Sequence, residues 1–376
     1  MAAPKRRMDV ADVLDGKQIC ICAGSGGVGK TTASAAIALG MAAAGAKVAV
    51  VTIDPARRLA NSLGLEQLGN EERRIDPRRF ERAGIELRGE LWAMMLDPKR
   101  TFDEVVSKRA PDAATRDSVL GNPIYKQLSG ALAGSQEYMA MEKLYELHEQ
   151  GDYDLLVLDT PPTRNALDFL DAPERLTSFI DSRSLAFFSA GGRRGLGLLG
   201  RGTGMLFSVL KRATGIDLLK DLSDFFNSFG EMVPGFRERA QEVNRLLGDK
   251  RTSFLLVTSP QHDAIEEALF FEARMRESKL PFGAVIVNRM HADVGSSRVK
   301  ARVEAELGEL LDERLAGKVA RNLADYRRLA ERDRSNVAEL AERLRGEPMI
   351  IVPWLDDDVH DLTGLAAINE HLFARG

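Results

Sequence analysis

Seven short apolar runs punctuate the chain: residues 18–23 (QICICA), 47–53 (KVAVVTI), 91–96 (LWAMML), 154–158 (DLLVL), 254–258 (FLLVT), 284–287 (AVIV) and 349–352 (MIIV). Runs of this length with few polar interruptions belong to strands buried on both faces, as in a parallel sheet covered by helices. Between them lie helical stretches, at residues 30–44 and about 99–150, 173–248, 262–278 and 296–346. Gly45 closes the first of these helices, so residues 18–53 read as strand, crossover helix and strand, the opening of a right-handed parallel unit. The expected fold is therefore α/β, a doubly wound and mostly parallel sheet. One domain is expected over residues 17–376, after a mobile polar leader at 1–16. The insertions at about 99–150 and 173–248 are too long for simple crossovers and are expected to form a helical subdomain above the sheet.

Composition adds one unusual segment. From Ser182 to Ile216 there is no acidic residue, yet Arg183, Arg193, Arg194, Arg201, Lys211 and Arg212 alternate with leucines, phenylalanines and many glycines. Glycine at this density weakens helices. The segment is either a loop covering its own core or a surface for an apolar protein client or an anionic membrane. The formal net charge of −4 weighs against a surface given over to nucleic acid. Cys20 and Cys22 are two residues apart in a strand, so they read as buried apolar residues rather than half of a metal site. The N-terminus has no apolar core of a secretory signal, and no run reaches the length that spans a bilayer. A cytoplasmic protein is expected, able to sit peripherally on a membrane through 182–216.

The chemistry sits at the carboxyl ends of the strands. Gly24-Ser25-Gly26-Gly27-Val28-Gly29-Lys30-Thr31 follows an apolar strand and opens a helix, the full phosphate-loop pattern in its proper context. Glycines let backbone N–H groups, Thr32 included, point into one concavity at a helix N-terminus. Lys30 would reach the β- and γ-phosphates of ATP, and the Thr31 hydroxyl would ligate Mg²⁺. Asp159 ends the run DLLVLD, the placement of a metal-side carboxylate, although the Pro161-Pro162 that follows also suits a helix N-cap. Asp54, just past the second strand, can face the γ-phosphate and metal and position water; its plainer role is an Asx-turn before Pro55.

The segments GSGGVGKTT, TIDPARRLA, LDTPPTRNALDFLDAPERL, VIVNRM and VPWLDDDV, in this order, resemble the ArsA-type ATPases, from about residue 18 to the last helix. That family includes the arsenical-pump ATPase and a relative that targets tail-anchored membrane proteins. The resemblance implies ATP hydrolysis, a nucleotide-bridged dimer and a helical subdomain that handles a client. It implies that Lys30 and Thr31 bind phosphate and Mg²⁺, Asp54 positions water in switch I, and Asp159 opens switch II. It further implies that Asn288 reads adenine, as an amide that both donates and accepts can, while Pro353 to Leu355 close over the base. The plainer role of Asn288 is that of a strand-end turn residue.

Departures from the family pattern matter as much. Where the family has a lysine that reaches the other subunit's nucleotide, this chain has Ser25, which cannot supply charge in trans. Switch II reads Thr163-Arg164-Asn165 instead of T-G-H. The zinc-binding cysteine pair and the cysteines of an arsenite site are missing, so no zinc is expected and metalloid transport is disfavoured. Two remedies for Ser25 are open: a local arginine such as Arg57 or Arg164, or a heterodimer with a lysine-bearing paralogue, which is the expectation favoured over a homodimer. The competing functions are a slow or non-catalytic regulatory subunit and a chromosome-partitioning ATPase.

Overall fold

The computed structural model describes residues 8–54, 57–126, 135–160, 225, 228–230, 232–293, 307–308, 311–355, 359 and 361–373. Eight strands form one sheet: β1 (Ile19–Ala23), β2 (Lys47–Thr52), β3 (Arg73–Arg74), β4 (Glu90–Met95), β5 (Leu155–Asp159), β6 (Thr252–Thr258), β7 (Phe282–Met290) and β8 (Met349–Pro353). Their order across the sheet is β3-β4-β2-β5-β1-β6-β7-β8. All neighbours run parallel except β3, which pairs antiparallel with β4. The central strands β1, β2, β5 and β6 are apolar almost throughout, because parallel strands must pack helices on both faces.

Two apolar layers sandwich the sheet. On one face α2 (Lys30–Ala43) and the C-terminal helix Leu362–Leu372 pack through Ala35, Ile37, Leu39, Leu365 and Leu372, against Cys20, Cys22, Val48, Val50 and Val157 of the strands. Cys20 and Cys22 are both fully buried there, as small apolar residues should be. On the other face the helices Pro98–Arg109, Ser135–Gln150, Val233–Leu247 and His262–Glu277 build a core with Tyr138, Phe236 and Phe254. The stretch expected to be helical over 296–346 contains one 31-residue helix, Glu313–Arg343.

Two elements differ from the expectation. The supposed mobile leader includes the helix Val10–Leu14, where Asp9 makes a capping box with Asp12 and Val10 and Leu14 are buried. Apolar residues three and four apart give even this short helix one buried face. Strand β3 is a pair of arginines, polar on both faces because it lies at the edge of the sheet. Much of the insertion at 173–248, including residues 182–216, lies outside the described residues, as does Arg164. Among the described residues no helix is long and apolar enough to cross a membrane.

Candidate active site

Strands β2 to β5 lie on one side of β1 and β6 to β8 on the other, so the carboxyl end of β1 lies at a topological switch point, where open α/β sheets bind ligands. The phosphate loop occupies that point. Its first turn requires glycine: Gly24 has φ +148, and a Cβ there would lie 2.0 Å from the Val257 carbonyl oxygen of β6. Gly29, at φ +97, is pinned by Asn288, whose amide nitrogen a Cβ would meet at 2.3 Å. Gly27 also has positive φ, so the loop carries the alternating backbone that directs N–H groups inward.

Strand register then delivers the acids. Asp159 lies opposite Cys22 of β1 and Thr52 of β2, level with the base of the loop. Its Oδ2 accepts from the Thr31 hydroxyl at 2.7 Å and from the Thr52 hydroxyl at 2.8 Å. Thr52 Oγ1 accepts in turn from the Asp54 backbone N–H at 3.1 Å. The other carboxylate oxygen of Asp159, Oδ1, is buried with no hydrogen-bond partner. A buried anionic oxygen left without a donor is costly, and a divalent cation beside the Thr31 hydroxyl would satisfy it. The donor set of one hydroxyl and one carboxylate, all hard oxygen, fits Mg²⁺.

Lys30, only 6% exposed, donates from Nζ to the Ser25 carbonyl at 2.8 Å, curled within the loop. Burial lowers its ammonium below the ordinary range, against the pull of the Asp159 charge. Lys30, Thr31, Thr32, Asp54 and Arg58 line one cavity of about 370 Å³. Asp54 is half-buried at its rim, its carboxylate 3.6 Å from the Arg58 guanidinium. Thr160 closes the floor by donating its hydroxyl to the Cys22 carbonyl at 2.9 Å.

Residues 17–311 match the family model of the ArsA-type anion-transporting ATPases. The chain belongs to that family. It is an ATPase. Among its relatives is "ATPase GET3" of Malassezia globosa, 25% identical over 284 residues, which are 74% of this chain and 75% of the relative. "ATPase GET3A" of Arabidopsis thaliana is 25% identical over 81% of this chain and 78% of its own length. "ATPase GET3" of Mycosarcoma maydis is 28% identical over 74% of this chain and 75% of its own.

The remaining expected residues of this ArsA-family ATPase sit on the adjoining side of the loop. Asn288, buried at the end of β7, donates its amide to the Val28 carbonyl at 2.9 Å, and its own carbonyl accepts from the Arg289 backbone N–H at 3.0 Å. The amide thus braces the loop, while the carbonyl holds the end of β7. Pro353 ends β8, Leu355 packs on the core, and between them Trp354 is 53% exposed. Trp354 stacks on His291, with ring centroids 5.3 Å apart, and His291 Nδ1 lies 2.6 Å from the buried Asp333 carboxylate. Ser25, Gly26, Gly27 and Val28 border a second cavity of about 620 Å³, shared with Arg289, His291 and Trp354. Of the two arginines named as substitutes for a family lysine, Arg57 caps a short helix at φ +57 with its neighbour Arg58 in the cavity instead. Sequence reasoning missed Thr52, Arg58 and Arg289. Only Arg289, adjacent to Asn288, carried a signal.

Burial, opposed by the hydrogen bonds from Thr31 and Thr52, pushes the Asp159 carboxyl up to about 6. A raised acid favours the protonated folded form, so its stabilising contribution is full below the unfolded value of about 4 and is lost as pH rises through about 6. In metal-free solution, Asp159→Asn should therefore gain stability relative to wild type as pH rises from about 4 to 7. Mg²⁺ should raise the melting temperature of wild type at pH 8 and leave the variant unmoved. Thermal unfolding scans of both proteins check this; parallel pH profiles would mean that Asp159 is not a strained buried charge.

Proposed function

We propose that this ATPase couples Mg–ATP binding and hydrolysis to a cycle of dimer closing and opening, through which it acts on an apolar protein or membrane-associated client. The observation that carries the reading is the hydrogen-bonded chain from Thr31 through Asp159 and Thr52 to the Asp54 backbone. It ties the phosphate loop to the carboxyl ends of β2 and β5, so one ligand at Asp159 acts on the segments that leave both strands. In the sequence, the chain that leaves β5 leads on to residues 182–216, the acid-free apolar stretch.

In the reaction, the loop amides and Lys30 bind the phosphates and hold them in a polar, preorganised site. Thr31 and Asp159 would hold Mg²⁺, which would supply charge that offsets the phosphate oxygens. The Asp54 carboxylate orients a water toward the γ-phosphate and accepts a hydrogen bond from it. Arg58, 3.6 Å away, holds the Asp54 carboxylate in place. Because Ser25 is neutral, a slow subunit that works in a heterodimer is the second reading.

Hydrogen exchange tests the coupling. Amides in 182–216 should exchange fast in the nucleotide-free protein and slow when Mg–ATP and an apolar client peptide are both present. Identical exchange with ADP, ATP and client would separate that segment from the nucleotide cycle.

A further inference from the structure

Arg289 stands one residue past Asn288 and turns back on the phosphate loop. In an unbroken strand, successive side chains point to opposite faces. Here the pairing of β7 with β8 shifts between Val287 and Met290, and Arg289 has φ +63. A non-glycine residue in the left-handed region is strained, and bulges commonly serve to re-aim a side chain. The result is that two consecutive side chains serve the same loop: Asn288 donates to the Val28 carbonyl, and Arg289 Nη1 donates to the Gly27 carbonyl at 3.0 Å.

Charge gives this geometry its point. Arg289 lines the same cavity as Lys30, Thr31 and Asp54. The other arginine of that cavity, Arg58, is matched by Asp54. Among the described residues Arg289 forms no ion pair with a carboxylate. Its guanidinium is offered only a neutral carbonyl and, 5.8 Å away, the face of Trp354. A carbonyl is a weaker partner than a phosphate oxygen, which takes a charge-assisted and two-pronged hydrogen bond from arginine. Position 25, in the same loop, supplies only a hydroxyl.

We propose that Arg289 is a catalytic residue acting in cis: when ATP fills the loop, its guanidinium exchanges the Gly27 carbonyl for phosphoryl oxygens and stabilises the charge on them during transfer. In hydrolysis a water oxygen bonds to the γ-phosphorus while the bond to the β–γ bridging oxygen breaks. The electron pair stays on ADP and one proton is released. Arg289 neither gives nor takes a proton; it lowers the cost of the charge passing to the bridging and γ-oxygens. Each copy of the chain then carries its own second cation, so two copies can form a competent dimer without a lysine-bearing partner. This inference rests on the reading of the loop as the site of ATP hydrolysis.

The test is steady-state ATP hydrolysis with Mg²⁺ by wild type, Arg289→Gln and Arg289→Lys, beside Lys30→Ala as the variant with a disabled loop. Glutamine keeps an N–H for the Gly27 carbonyl and much of the packing on Trp354, so the loop should keep its shape. The expected result is a kcat lower by roughly 10²- to 10³-fold in Arg289→Gln, with Mg–ADP affinity within about threefold of wild type. Arg289→Lys should recover part of the loss, since it restores charge without the fork. A wild-type kcat in Arg289→Gln overturns the proposal. So does an equal loss in both variants, which would assign Arg289 to loop geometry rather than to charge. Wild-type turnover no faster than that of Lys30→Ala would instead remove the reading of the loop as the hydrolytic site, and this inference with it.

Discussion

Replacing Lys30 by alanine weakens Mg–ATP binding by at least about 100-fold while leaving the protein folded. The lysine ammonium is buried inside the loop, hydrogen-bonded to the Ser25 carbonyl, and burial already lowers its pKa against the pull of the Asp159 charge. Such a cation is held ready for an anion. Charge-assisted hydrogen bonds contribute about 1.5–3 kcal/mol each, and Lys30 is placed to give more than one to a triphosphate. The fold does not depend on the ammonium. The Lys30 carbonyl, which accepts from the Ser34 hydroxyl at 2.9 Å, belongs to the backbone and survives the substitution. Calorimetric titration with Mg–ATP, together with a melting scan, checks both halves. Unchanged affinity in a folded variant would move the nucleotide elsewhere.

Asp54→Asn separates binding from turnover. The carboxylate lines the phosphate cavity, held on one side by Arg58 and on the other by its backbone N–H on Thr52. Asparagine keeps the shape and the backbone contact but loses the charge that orients and polarises water. ATP should bind within about threefold of wild type, and kcat should fall by roughly 10²-fold or more. A phosphate-release assay and a binding isotherm on the same preparation measure the two effects. Normal turnover would pass the water-positioning role to the segment that follows Thr160.

The sheet was legible because its strands are buried on both faces. Each apolar run of the sequence became a strand within one or two residues at most ends, and the glycine-rich loop lies between β1 and the helix that opens at Lys30. The longest disagreement is β7, which extends beyond residues 284–287 at both ends, to Phe282 and Met290. Its last residues include the bulge that aims Arg289, and no periodicity announces a bulge. The edge strand β3 stayed hidden because two arginines have no apolar pattern; backbone pairing with β4 and the ion pair of Arg74 with Glu90 hold it. Thr52 read as a strand filler, since a hydroxyl's partner 107 residues away becomes visible only when β2 and β5 are in register. The choice between Arg57 and Arg58 depends on the backbone turn at Arg57, which sequence cannot supply. Asn288 was picked out by type and place, and the structure adds that its amide braces the loop.

Sedimentation velocity and phosphate release, followed together on one sample of Asp54→Asn and one of wild type, test the central claim most directly. With Mg–ATP, Asp54→Asn should accumulate and hold a dimer while releasing almost no phosphate. Wild type should form the same dimer and lose it as phosphate appears, and ADP should support it in neither. A mass that ignores the nucleotide in both proteins, or a wild-type dimer that persists unchanged after all the ATP is spent, would contradict a cycle driven by hydrolysis at this loop.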